Sequence, residues 1–123
     1  MKKFNKDIGN LSETLAIDYL KQKKYKILDI NFKNRFGEID IISKKDDLII
    51  IIEVKGRFSS NYGFPSESVN ISKQKKIIAV TNSYLHINNL YKRNIRFDVI
   101  EIFLNHMTNS YEINHIIDAF RIN

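Results

Sequence analysis

Two carboxylates and an amine lie near the ends of two strand-like segments of this chain. Asp40 closes the segment Phe36-Gly-Glu-Ile-Asp40, and Glu53 and Lys55 follow the apolar run Leu-Ile-Ile-Ile-Ile that begins at Leu48. Side chains alternate along a strand, so Glu53 and Lys55 point to the same face of the sheet. Charged groups beside such a run are costly unless they pair, bind a metal or open onto a cleft. The pattern therefore predicts a functional site.

Metal-dependent hydrolysis is the chemistry that these residue types favour. Asp40 and Glu53 on adjacent strands can approach each other closely, and hard carboxylate oxygens suit Mg²⁺ or Mn²⁺. A metal held there can polarise a phosphodiester and activate water. Lys55 can orient that water and offset charge on the scissile phosphate. The alternative is a salt-bridged strand end in which Glu53 and Lys55 are partly solvated.

The first half of the chain contains the elements that must position these groups. Helical spacing of apolar residues predicts a helix over residues 7–23. Three strands are predicted over 25–32, 36–43 and 48–55, forming an antiparallel meander with polar turns at 31–35 and 44–47. We expect residues 48–54 at the centre of the sheet, because an exposed isoleucine-rich edge invites aggregation. The predicted core residues of these elements are Ile8, Leu11, Leu15, Ala16, Ile17, Tyr19 and Leu20 of the helix and Leu28, Ile30 and Phe32 of the first strand.

The second half predicts a β-α-β crossover. A loop over 59–69 precedes a helix over 71–85 with Asn70 as its N-cap, and strands follow at 96–103 and 111–115. A crossover between the central strand and the 96–103 strand should be right-handed and parallel. The helix is predicted to bury Ile71, Ile77, Ile78, Thr81, Tyr84 and Leu85.

Composition narrows the function classes. The 123 residues predict a single domain, 1–123, and 20 Lys and Arg against 14 Asp and Glu give a net charge of +6. This excess favours a polyanionic partner, nucleic acid first, although it is also what the base composition of a genome can produce. The absence of cysteine excludes disulfides and thiolate sites. Without an apolar segment long enough to span a membrane, the chain is predicted to be cytoplasmic with no membrane partner.

The acid on one strand, the Glu-x-Lys on the next and the αβββαβ order resemble the PD-(D/E)xK nuclease superfamily. More narrowly, the chain resembles the YraN-like family of small predicted endonucleases over nearly its whole length. Ser12 departs from the pattern, because glycine is usual before the helix acid. The matching residues are Gly9, Glu13, Leu15, Ala16, Tyr19, Leu20, Asn31, Gly37, Glu38, Ile39, Asp40, Glu53, Val54, Lys55, Arg57, Gly63, Pro65, Glu67, Val69, Lys73, Tyr84, Leu85, Arg96, Phe97, Asp98, Val99, His115, Ile116, Ala119 and Phe120.

The resemblance implies an α/β fold of the restriction endonuclease-like type, with a central mixed sheet flanked by helices. It implies a Mg²⁺-dependent endodeoxyribonuclease that hydrolyses phosphodiester bonds in DNA, in branched or single-stranded forms. Asp40, Glu53 and Lys55 would be its catalytic core, with Asp40 and Glu53 as metal ligands. Glu13 matches the helix acid that related nucleases point at the metal, although a surface or capping role is the alternative for Glu13.

Basic and aromatic residues near the predicted site could hold the substrate. Arg57 can bind a phosphate through two hydrogen bonds, and Lys73 lies near a helix N-terminus, which itself favours anions. Tyr62 and Phe64 could stack on unpaired bases or anchor their own loop. The three histidines, His86, His106 and His115, lack metal-ligand spacing and are predicted to have core or surface roles. Arg96 and Asp98 are predicted to form an ion pair that supports the sheet.

Two other functions stay open on the sequence. One is a nucleic-acid-binding module of the same fold that cuts poorly or not at all. The other is a scaffold for a protein partner. Whether two copies form a homodimer that cuts both strands is also left open.

Overall fold

The structure, a computed structural model, describes residues 2–58, 69–105 and 107–122 of the chain, with the side chains of residues 2–7 omitted. The predicted loop residues Tyr62, Gly63, Phe64, Pro65 and Glu67, together with His106, lie outside the described residues. The elements in chain order are α1 (Lys2–Gln22), β1 (Lys26–Asn34), β2 (Gly37–Lys45), β3 (Leu48–Phe58), α2 (Ile71–Ile87), β4 (Asn94–Asn105) and β5 (Ser110–Phe120).

The five strands form one mixed sheet in the order β1-β2-β3-β4-β5. The first three pair antiparallel, β3 and β4 pair parallel through the α2 crossover, and β5 pairs antiparallel with β4. The predicted meander, the central place of β3 and the parallel crossover are therefore confirmed. Ile50 and Ile52 are completely buried in β3, as expected for an apolar strand covered on both faces.

The two helices cover opposite faces of the sheet. Buried residues of α2 pack with Ile49 and Ile51 of β3, and buried residues of α1 pack with Ile50 and Ile52. The result is a three-layer α/β arrangement with one core on each side of the sheet. The deepest residues of α1 are Ser12, Ala16 and Leu20, those of α2 are Ile77, Val80, Thr81, Tyr84 and Leu85, and the predicted α1 residues Ile8, Leu11, Leu15, Ile17 and Tyr19 flank them half-buried.

Two predictions about the first hairpin are wrong. The predicted turn over 31–35 belongs mostly to β1, which continues to Asn34 and pairs there with Gly37, so that Arg35 and Phe36 alone form the turn. Ile30 is 41% exposed rather than buried, because β1 departs from regular alternation on both sides of it, with a register irregularity between Ile27 and Asp29 and a positive φ of 55° at Asn31.

The second helix begins as predicted, but its first residue faces solvent. The Asn70 side chain accepts a hydrogen bond from the Lys73 amide at 2.8 Å, which confirms the N-cap. Ile71 is 63% exposed, because it lies in the first turn, ahead of the residues of α2 that pack on the sheet. The prediction that Ile71 is buried is therefore wrong. The last strand, predicted as 111–115, extends over Ser110–Phe120.

Helix α1 lies directly on β3 at Gly56. A Cβ atom at Gly56 would lie 1.8 Å from the Ser12 Oγ and 2.6 Å from the Ser12 Cβ. We expect Gly56→Ala to displace α1 and to lower the free energy of unfolding by about 1–3 kcal/mol. In a Ser12→Gly background the nearest remaining atom is the Ile8 carbonyl oxygen at 3.4 Å. The same substitution should cost less there, and equal costs in a urea-denaturation double-mutant cycle would contradict this contact.

Candidate active site

The predicted site lies where β2 and β3 stop pairing. Their register runs from Lys45 opposite Leu48 to Ile41 opposite Ile52, and Asp40 is the next residue of β2. The side-chain alternation of β2 is interrupted at the same point, since Ile39 and Ile41 pack on opposite faces of the sheet.

The carboxylate of Asp40 takes the place of a backbone acceptor at this point. Its Oδ2 accepts a hydrogen bond from the Val54 amide at 2.8 Å, in the middle of the Glu53-Val54-Lys55 segment. This bond fixes Asp40 to β3, directly beside the residue that precedes Val54 in the chain. The two predicted metal ligands, Asp40 and Glu53, are therefore neighbours in the fold.

Glu53 is buried and paired with a lysine from α2. The residue is 8% exposed, and its Oε1 lies 2.6 Å from the Nζ of Lys73. Lys73 lies in the first turn of α2, capped by Asn70. The sequence predicted Lys73 as a phosphate contact, but its contact with Glu53 could not be read from spacing. The structure places Lys73 within the candidate site, with about half of its side chain still exposed.

Little positive charge lies near Asp40 to stabilise its ionised form. Burial raises the pKa of Asp40 to about 7, and the charge of Glu53 contributes in the same direction. The Val54 amide and the more distant Lys73 ammonium oppose this shift only in part. Burial lowers the pKa of Lys73, but its hydrogen bond and attraction to Glu53 outweigh burial and raise that pKa overall. Lys73 is therefore a cation at neutral pH, and its positive charge interacts mainly with Glu53.

Glu13 reaches the same region from α1. Its Oε1 accepts a hydrogen bond from the Asn31 Nδ2 at 2.8 Å, and its charge contributes to the raised pKa of Asp40. Burial raises the pKa of Glu13 itself; the Asn31 hydrogen bond opposes that rise and the charge of Glu38 adds to it. The structure thus brings Glu13 and Asp40 to one cavity. That cavity has a volume of about 290 Å³ and is lined by Gly9, Asn10, Ser12, Glu13, Asn31, Glu38, Asp40, Val54 and Gly56.

Lys55 and Arg57 continue along β3 beyond Glu53, and both are half-buried. Among the residues that the structure describes, Lys55 makes no ion pair. Arg57 pairs in register with Phe103 of β4, two positions beyond Lys55. Their predicted roles as catalytic and phosphate-binding residues stay predictions.

Sequence patterns did not single out Glu101. This residue lies opposite Lys55 in the parallel β3–β4 register and is completely buried. Its Oε1 accepts a hydrogen bond from the Asn114 Nδ2 at 2.8 Å, and its Oε2 has no hydrogen-bond partner among the described residues. The acid inside the apolar segment 99–104 was the available signal, because glutamate is rarely completely buried.

The donor set suits Mg²⁺ or Mn²⁺. In the part of the chain that the structure describes, no three acidic or histidine side chains form a metal-binding cluster. Mg²⁺ does not require one, since it keeps several waters and is often held by one or two carboxylates. The negative charge that raises the pKa of Asp40 is the charge that a divalent cation would neutralise. Asp40 and Glu53 are therefore suitable ligands.

A separate polar network joins α1, β4 and β5. Arg96 contacts Asp98 through its Nη2 at 2.8 Å, which confirms the predicted ion pair. The His115 Nε2 lies 2.7 Å from the same carboxylate, and the Tyr19 hydroxyl lies 2.9 Å from the His115 Nδ1. His115 is therefore a core residue, one of the two roles predicted for it, and this network fixes α1 against the sheet.

Comparison with known proteins identifies the family. A family model described as uncharacterised protein family UPF0102 matches residues 12–102. The chain belongs to the UPF0102 family. The matched region extends from α1 into β4 and contains Glu13, Asp40, Glu53, Lys55 and Lys73, so the charged residues of the candidate site lie within the part that matches UPF0102.

Close UPF0102 relatives occur in clostridia. A UPF0102 protein of Clostridium botulinum (strain Alaska E43 / Type E3) is 61% identical over 98% of this chain and 99% of its own length. A UPF0102 protein of Clostridium beijerinckii is 59% identical, with both chains covered completely. A third, of Clostridium perfringens (strain 13 / Type A), is 51% identical over 99% of this chain and 100% of its own.

None of the described helices has the length and hydropathy needed to cross a membrane.

The raised pKa of Asp40 predicts a stability effect with a definite sign. The unfolded chain loses this proton near its ordinary pKa of 3.8, whereas the folded protein keeps it until about 7. The folded state therefore binds more protons between these values, and stability falls as the pH rises through them. We expect Asp40→Asn to raise the free energy of unfolding at pH 8 by about 1–2 kcal/mol and to have little effect at pH 3.5. Urea denaturation in EDTA, with the exposed Asp18→Asn as control, would measure this; a destabilised variant at pH 8 would contradict it.

Proposed function

We propose that this UPF0102 protein is a metal-dependent endonuclease of the PD-(D/E)xK type that hydrolyses phosphodiester bonds in DNA. The observation that carries the proposal is the position of Asp40, whose carboxylate is bound to the Val54 amide where β2 and β3 separate, beside buried Glu53. The αβββαβ order of α1 to β4 agrees with a restriction endonuclease-like fold, to which β5 adds an antiparallel edge.

Each residue of the site has a separate role in the proposed hydrolysis. Asp40 and Glu53 would hold Mg²⁺ or Mn²⁺, which when bound supplies Lewis acidity toward a phosphate oxygen. Lys55 orients the attacking water and offsets the charge that develops as the new P–O bond forms and the bond to the leaving oxygen breaks. Lys73 fixes Glu53 in place through their 2.6 Å ion pair. Glu13 adds negative charge beside Asp40, which favours cation binding in the cavity.

A second candidate is a nucleic-acid-binding module that does not cut. The ion pair between Lys73 and Glu53 favours it, because an ammonium already neutralises one of the two carboxylates. Binding would then rest on the basic surface and on Arg57. The two candidates differ in one result, namely whether a bond in DNA is broken.

The deciding experiment incubates the full-length protein with labelled duplex, forked, four-way-junction and single-stranded DNA. Each substrate is tested with Mg²⁺, with Mn²⁺ and with EDTA. The proposal expects products on at least one substrate with a divalent ion and none with EDTA. Binding of these DNAs without products under any condition would favour the non-cutting module.

A further inference from the structure

An aromatic ring is exposed at the tip of the first hairpin. The turn between β1 and β2 consists of Arg35 and Phe36 alone, and Phe36 is 43% exposed. The guanidinium carbon of Arg35 lies 4.9 Å from the centre of the Phe36 ring. Because part of this large apolar ring stays in water, the fold lacks the hydrophobic stabilisation that complete burial of the ring would give. The pair therefore places a cation beside a partly exposed aromatic ring.

This tip is held in place rather than free. The Phe36 amide donates a hydrogen bond to the Asn34 Oδ1 at 2.8 Å, which closes the turn locally. Gly37 lies against α2, since a Cβ at that position would be 3.7 Å from the Val80 Cγ2 and 3.9 Å from the Lys76 Cβ. The tip therefore rests on the helix whose first turn carries Lys73, the partner of Glu53.

The Phe36 ring is close enough to the candidate site for one nucleic acid strand to contact both. Phe36 precedes Asp40 by four residues, and a strand rises by about 3.3 Å per residue, so the two lie within about 13 Å of each other. Neighbouring nucleotides on one strand of a duplex are spaced by about 3.4 Å along the axis, so a bound strand would place the ring a few nucleotides from the cut.

The charges around the tip favour a polyanion. Arg35, Lys75 and Lys76 are exposed on the turn and on the N-terminal part of α2. The acid of β2 nearest this tip, Glu38, lies opposite Lys33 in the β1–β2 register. The basic groups on α2 and the turn are therefore available to phosphates.

We propose that Phe36 and Arg35 form a contact site for an unpaired nucleobase, so that the substrate is DNA with unpaired nucleotides within a few nucleotides of the scissile phosphate. The place of the cut rests on the proposed nuclease function, whereas the stacking contact does not. An aromatic ring stacks on any base, but the bases of an intact duplex present no free face to it. Arg35 adds its planar cation to the same surface.

The first test uses tryptophan as a reporter, because the chain contains none. Phe36→Trp places a single indole at the tip, and Ile87→Trp places one at the far end of α2, where Ile87 is 69% exposed. In EDTA, a single-stranded oligonucleotide should quench the fluorescence of Phe36→Trp and leave Ile87→Trp unchanged. A duplex with hairpin-closed ends should quench neither. Equal quenching by duplex and single strand, or no quenching by the single strand, would overturn the inference.

The second test measures affinity by fluorescence anisotropy, also in EDTA. Phe36→Ala and Phe36→Leu should each weaken binding of the single strand about 10-fold to 100-fold and leave duplex affinity unchanged, because leucine keeps the apolar volume without the ring. Wild-type affinity in Phe36→Leu would overturn the inference. If the protein cleaves DNA but fails these tests, the stacking contact alone is rejected. If the single strand quenches the fluorescence and the duplex does not, but no substrate is cleaved, the nuclease function alone is rejected.

Discussion

Glu53→Gln should reduce DNA cleavage by at least about 10³-fold while leaving DNA binding intact or slightly tighter. The substitution keeps the shape of the side chain but removes the charge that would hold the divalent ion beside Asp40. It also removes a negative charge that repels phosphates. Lys55→Ala should lower the rate by about 10²-fold to 10³-fold, the effect typical of losing one group that stabilises transition-state charge.

Single-turnover cleavage with excess protein measures this effect directly, and anisotropy in EDTA measures binding separately. Glu112→Gln, on the exposed part of β5, is the matched control for Glu53→Gln. Lys26→Ala, exposed at the start of β1, is the control for Lys55→Ala. Cleavage by Glu53→Gln at the wild-type rate would show that this carboxylate is not part of the reaction, and the ion pair with Lys73 would then be its whole role.

Asp98→Ala should cause the largest loss of stability of any substitution considered. The Asp98 side chain is completely buried and receives hydrogen bonds from Arg96, His115 and the Asp118 amide. Removing it takes away the carboxylate that pairs with the Arg96 guanidinium and the nearly buried His115 ring, and leaves Arg96 with the Tyr25 hydroxyl as acceptor. Loss of one partner from a buried ionic group costs about 3–5 kcal/mol. Urea denaturation would measure the cost, with the exposed Asp18→Ala of α1 as control.

The same network predicts how stability responds to acid. Burial opposes ionisation of Asp98, but the hydrogen bonds from His115, Arg96 and the Asp118 amide outweigh it and hold the pKa below the ordinary 3.8. This contribution is therefore complete above about pH 4 and is lost as the pH falls through the lower folded-state value. In Asp98→Asn, the free energy of unfolding should fall less as the pH is lowered below about 4. If this variant loses as much stability in acid as the wild type, or if Asp98→Ala costs less than about 1 kcal/mol, the network stabilises little.

Local sequence patterns predicted the framework of this protein well. The isoleucine run identified the central strand, and Asn70 identified the start of α2, because both depend on neighbouring residues only. The proximity of Asp40 and Glu53 followed from placing their strands side by side. These predictions needed no knowledge of contacts between distant segments.

The errors and omissions involve long-range or irregular geometry. Ile30 is exposed between two irregular points of β1, and nothing in the local alternation of residues signals such irregularities. The contact of Lys73 with Glu53 joins residues from two elements whose relative position is set by packing. The Asn31 contact with Glu13 depends on Asn31 adopting a positive φ of 55°, which asparagine tolerates better than most residues.

The hydrogen bond between Asp40 and the Val54 amide ties the candidate site to the pairing of β2 with β3. A nascent or partly unfolded chain in which these strands have not paired would lack this acid beside Glu53. Under the proposed function, such a chain would carry basic charge but no cutting centre. The proposed nuclease would then act only once it is folded, with no separate inhibitor needed.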